Sequence, residues 1–96
     1  MKLNTLIKKI NKAIPEAKAT PGVEFGEEYK DGIWFRGSED YVKADGLSIF
    51  DYWAMDGPYM SMYVDGVHPK LAKILDKAGW MAEPYDSGTL FAWNLN

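Results

Sequence analysis

Ninety-six residues with 47% hydrophobic and 26% charged side chains suit one globular domain and exclude a wholly disordered chain. A formal net charge of −3 removes any global electrostatic case for binding DNA, RNA or an anionic membrane. Cysteine is absent, which excludes disulfides, thiolate metal sites and cysteine nucleophiles.

Leu3, Leu6, Ile7, Ile10 and Ile14 recur at spacings of three and four, which predicts an amphipathic helix over 1–14 with Lys2, Lys8, Lys9 and Lys12 outside the apolar stripe. Pro15 stops it at Ile14, because the residue before a proline is pushed out of helical geometry. Residues 15–22 are read as a connector. The same lysines break any apolar run of signal-peptide length. No window approaches the roughly 18–20 apolar residues of a membrane span, so the expectation is a cytoplasmic protein without membrane contact.

From Val23 to Val64 the pattern changes to short aromatic and β-branched runs punctuated by Asp31-Gly32, Asp45-Gly46 and Asp56-Gly57, with Asp65-Gly66 closing the stretch. Such pairs mark turns. The runs predict an antiparallel meander over 23–64, with strands at 23–29, 33–37, 40–43, 47–54 and 59–64. Neither alternate set in the longest of these strands is polar, so one of its faces is expected to carry exposed rings. Pro69 then opens a second helix over 69–78, whose apolar stripe is Leu71, Ile74, Leu75 and Ala78, and Gly79 ends it. Runs at 80–85 and 89–94 flank Asp86-Ser87-Gly88 and predict a hairpin over 80–94, with Pro84 confining its strand to an edge or a bulge. The fold class expected is α+β in a single domain over 1–96: an antiparallel sheet of four to six strands with two helices packed on one face, in the order α-β-β-(β)-β-β-α-β-β. Trp34, Phe50, Trp80 and Phe91 are the expected core rings.

The modest net charge is a cancellation. Residues 1–18 hold five lysines and one acid, residues 19–69 hold ten acids against three bases, and residues 70–96 balance. The acidic segment is also the aromatic one, with ten of the fourteen rings between Val23 and Asp65. Acids placed to keep a small sheet soluble explain the four Asp-Gly aspartates. They explain less well Glu24, Glu27 and Glu28, the Glu39-Asp40 pair, or Asp51 between apolar neighbours. An acidic surface interleaved with Tyr and Trp instead suits a basic partner.

Catalytic chemistry finds little footing. His68 is the single histidine and stands at a helix start without an identifiable partner for general-base work. Zinc lacks ligands, the aspartates lack calcium-loop spacing, and no glycine-rich phosphate loop occurs. Carboxylate pairs such as Glu27, Glu28, Asp51 and Asp56 are expected by chance in so acidic a chain. Lys8, Lys9 and Lys12 make too small a basic footprint for direct nucleic-acid contact. No enzyme activity, metal or cofactor is therefore expected.

The run Val67-His68-Pro69-Lys70-Leu71, then Leu75 to Trp80 and Glu83 to Thr89, resembles the tail of small bacteriophage-encoded proteins in which a short helix ending in Gly-Trp leads into a terminal hairpin. By type this set is similar to anti-CRISPR proteins, and the resemblance implies an inhibitor of host-defence machinery while carrying over no functional residue. The leading expectation is a non-enzymatic protein-binding module that blocks a basic surface of a host nucleic-acid-handling or defence complex. Its aromatic anchors are Tyr52, Trp53, Tyr59 and Tyr63, and its steering acids are Glu27, Glu28, Glu39, Asp40 and Asp51. The alternative is a small-ligand or carbohydrate-binding module using exposed Trp and Tyr. Pairing of two copies through the same rings, a homodimer, is a third reading.

Overall fold

The first helix, α1 (Leu3–Ala13), buries Leu6 and Ile10 completely and leaves Lys2, Lys8, Lys9 and Lys12 exposed, as the three-four spacing requires. The computed structural model describes residues 1–39, 42–55 and 62–95. Ile14 leaves helical geometry at φ −139°, ψ 79°, and Pro15 starts a one-turn 3-10 helix.

The expected connector contains a strand, β1 (Ala19–Pro21). Its source is tertiary. The Asn11 side-chain amide accepts from the Ala19 N–H at 2.8 Å and donates to the Ala19 carbonyl at 2.9 Å, so a helix side chain occupies the position a neighbouring strand would take.

The expected strand at 23–29 is instead two 3-10 turns, Gly22–Glu24 and Glu27–Tyr29. A Cβ at Gly22 would collide with the Tyr29 carbonyl oxygen. Only glycine permits this close return of the chain. β2 (Ile33–Phe35) is shorter than the expected 33–37, since Arg36–Ser38 turn away. The buried Ser38 hydroxyl donates to the Phe35 carbonyl at 2.7 Å and accepts from the Leu90 N–H at 3.2 Å, closing the strand end with side-chain bonds.

Among the described residues the rest of the meander does not form as expected. The chain makes a two-residue strand β3 (Lys43–Ala44) paired with β4 (Leu47–Ser48), joined by Asp45-Gly46 at φ 55° and 82°, the positive-φ turn that Asp-Gly favours in hairpins. Residues 40 and 41, Asp56-Gly57 and the first part of the strand expected at 59–64 lie outside the described residues. The strand expected at 47–54 is paired only over Leu47–Ser48, and Ile49 and Phe50 beyond it are both buried. Phe50 bridges Val67, and Tyr52–Met55 form a 3-10 turn. Asp65-Gly66 repeats the positive-φ turn (51° and 82°) and closes the Val64–Val67 bridge.

The carboxy-terminal third matches expectation. α2 (Pro69–Ala78) has proline in its first turn and ends at Gly79 in left-handed geometry. β5 (Trp80–Asp86) and β6 (Thr89–Asn94) form the hairpin, with a register shift between Pro84 and Asp86. The main sheet is antiparallel in the order β1-β2-β6-β5, and the fold is α+β. Leu6, Ile10, Leu71 and Leu75 from the helices share one core with Ile33, Phe35, Leu90 and Ala92 from alternate strand positions. Phe50, Trp80 and Phe91 are buried as expected, whereas Trp34 is half-buried on the opposite sheet face.

His68 joins the small sheet to α2. Its Nε2 meets the Ala44 carbonyl at 2.8 Å, and its Nδ1 accepts from the Lys70 N–H at 3.1 Å, which selects the tautomer protonated on Nε2. Replacing His68 with alanine removes the helix cap and strands a carbonyl bonded within the core. Urea unfolding is expected to show a loss of about 2 kcal/mol.

Candidate functional site

The rings in contact with one another sort into two groups with no ring contact between them among the described residues, while Phe35 and Trp80 lie in the helix-facing core. The first covers the sheet face opposite the helices. Phe91, 2% exposed, lies at its centre: Tyr29 stacks on it at 4.8 Å with an interplanar angle of 3°. Phe25 and Tyr85 meet it edge-on at 5.0 and 5.7 Å, and Trp93 is tilted at 6.1 Å. The two 3-10 turns carry Phe25 and Tyr29 over the sheet, so these rings act as a second core layer.

The acids around this layer are partly committed. Glu24 accepts from Arg36 at 2.7 Å, and the Arg36 guanidinium lies 4.5 Å over the Trp34 ring. Glu39 accepts from the Trp34 indole N–H at 3.2 Å. Glu27 and Glu28 are exposed. Desolvation among the rings pushes the Tyr29 hydroxyl above the ordinary tyrosine value of 10.0, with Tyr85 and then the Glu28 charge adding to the rise. A group harder to ionise in the folded state stabilises that state fully below its unfolded pKa. The contribution is then lost as pH climbs through the raised folded value. The unfolding midpoint should therefore fall more steeply above about pH 10 in the parent chain than in Tyr29→Phe, as read by denaturant unfolding at stepped pH.

The second group is displayed. Phe50 (1% exposed), Tyr52 (38%) and Trp53 (72%) form a ladder from core to solvent, with edge-on contacts at 6.4 Å and 5.3 Å. Its base is fixed by backbone bonds from Asp51 N–H to the Gly66 carbonyl at 2.7 Å and from His68 N–H to the Ile49 carbonyl at 2.9 Å. The Asp51 carboxylate accepts from the Trp53 N–H at 3.1 Å. An aspartate between apolar neighbours is thus a turn cap. The Tyr63 hydroxyl accepts from the Ser48 N–H at 3.2 Å, tying this region to the small hairpin. Beside the ladder an open cleft of about 260 Å³ is lined by Lys43, Leu47, Asp51, Met62 and Tyr63.

Of the residues expected to act together, Tyr52, Trp53, Tyr63 and Asp51 belong to this region, and Tyr59 and Asp40 lie outside the described residues. Glu27, Glu28 and Glu39 are placed with the first ring group, so the single acidic aromatic sheet face is replaced by two surfaces. Exposed Met62 and Val64 were not anticipated; the Asp65-Gly66 turn that brings Val64 back to Val67 was the available signal. Among the described residues no group of three or more His, Cys, Asp or Glu is arranged to hold a metal ion, and no helix is long and apolar enough to cross a membrane. No protein-family model matches the chain, and neither a curated protein nor a solved structure shows significant similarity to it.

Proposed function

We propose that this chain is a non-enzymatic protein-binding module whose docking surface is the region around Tyr52 and Trp53. The observation that carries the reading is the 72% exposure of Trp53 on a base fixed from both sides by backbone bonds. The backbone beneath the ring is tied to Gly66 and His68 and capped by Asp51, and an exposed Trp is the residue type enriched among interface hot spots. Asp51 in the cleft beside the patch and Asp45 in the turn next to Gly46 outnumber Lys43 there, which favours a basic partner and a salt-sensitive association rate. In its finer form the proposal is an inhibitor, of phage or mobile-element origin, that covers a basic surface of a host nucleic-acid-handling or defence complex; the carboxy-terminal resemblance motivates that form.

A photoreactive residue placed at Trp53, with a second chain labelled at exposed Lys9 on α1 as control, tests the reading in host extract. Capture of a basic protein from position 53 only, suppressed by salt, is the expected result. Equal capture from both positions would remove the patch from consideration. A thermal-shift screen against sugars and nucleotides is expected to be flat; a rise with sugar that vanishes in Trp53→Ala would replace protein docking by ring stacking on carbohydrate.

A further inference from the structure

A different surface carries an interaction of its own. β5 is the last strand of the main sheet, and among the described residues nothing pairs with its outer side. The Leu95 N–H bonds the Gly79 carbonyl, and Trp80 is registered on Asn94 and Ala82 on Ala92. Antiparallel alternation then turns the Met81 and Glu83 backbone groups toward β6 and the Trp80, Ala82 and Pro84 groups outward. Pro84, which has no N–H, occupies one of the outward positions, as an edge allows. Along this side runs a cleft of about 240 Å³ between the strand, α2 and the Val64–Val67 turn, with Val67, Ala72 and Leu75 in its apolar lining. On the other face of the same strand Met81 and Tyr85 are half-exposed, at 49% and 54%.

We propose that this edge accepts an added strand from a partner protein: an extended segment that alternates apolar residues with lysine or arginine. The backbone groups of Ala82 and the Pro84 carbonyl would pair with it, and its apolar side chains would enter the cleft over Leu75. The charge of the occupant follows from the face its other side chains would meet. With its apolar residues in the cleft, its alternate residues stand beside Met81, exposed Glu83 and Tyr85, so a cation there pairs with Glu83 across the strands; among the described lining residues the only charged ones, Asp65 and Asp76, are acids as well. A second copy of the chain added across a two-fold axis would set these acids against their own counterparts, which disfavours self-pairing. The surface is separate from the Trp53 patch, and its test is independent of that reading.

The probe is a blocked hexapeptide of alternating lysine and valine, titrated into the full ¹⁵N-labelled chain. Saturation is expected to shift the Ala82 amide resonance and slow its exchange about tenfold. A peptide N-methylated on the pairing side, a glutamate-valine analogue, and the Glu83→Lys chain should each bind about tenfold more weakly. Trp53→Ala should bind the lysine-valine peptide as the parent chain does. No change at β5 amides with millimolar peptide, equal binding of the N-methylated or acidic peptide, or unaltered affinity in Glu83→Lys would overturn the proposal. So would light scattering that shows a dimer whose contact protects the Ala82 amide, since the occupant would then be a second copy.

Discussion

Replacing Phe91 with alanine is expected to lower the unfolding free energy by about 3–5 kcal/mol, read from urea denaturation with an unchanged slope. Phe91 belongs to none of the helix-facing core, yet it is 2% exposed because Phe25, Tyr29, Tyr85 and Trp93 enclose it. Its removal takes the transfer free energy of one ring and leaves a void that the stacked Tyr29 ring cannot fill while the Gly22 and Gly32 backbone bonds hold its turn in place. Domains of this size are stable by roughly 5–15 kcal/mol, so the variant should approach the unfolding threshold. Phe91→Leu, which keeps much of the volume, should lose less. A loss below about 1 kcal/mol for the alanine variant would mean that the second layer is decoration on a one-layer fold.

Trp53→Ala is expected to do the opposite. Its ring is 72% exposed and touches Tyr52 at its edge, so unfolding should move by no more than about 0.5 kcal/mol. Binding to a basic partner should weaken by about 2–4 kcal/mol, the range for a hot-spot tryptophan. Asp51→Ala is the companion variant. It removes the cap on the Trp53 N–H without removing the ring, and should weaken binding less than Trp53→Ala because the anchor survives with a looser base. Tyr52→Phe should bind as the parent does, since its ring contacts require no hydroxyl.

The helices were legible because each carries its period and its stops locally: apolar residues three and four apart, Pro15 after α1, Pro69 and Gly79 bracketing α2. The terminal hairpin was legible for the same reason, down to Pro84 at an edge. The acidic middle misled because an Asp-Gly pair reports a turn and says nothing about whether its flanks pair. Asp45-Gly46 and Asp65-Gly66 both adopt the expected geometry, yet one closes a two-residue strand pair and the other a single bridge. Phe25 and Tyr29 look like strand residues in composition, but their destination is the far sheet face, and two 3-10 turns deliver them there. β1 was invisible because its outer side is completed by Asn11, a side chain eight residues earlier. At the candidate site the adjacency of Tyr52 and Trp53 was readable and their support was not, since it comes from backbone bonds to Gly66 and His68. Glu39 looked available and is bonded to an indole.

In the proposed function the contacting rings divide their work: one layer holds the sheet and one ladder is presented to a partner. The most direct test is the affinity of Trp53→Ala, measured beside its unfolding free energy, for the basic protein captured at position 53. Binding at least about thirtyfold weaker with stability unchanged is the predicted result. Unchanged affinity in a fully folded variant would contradict it.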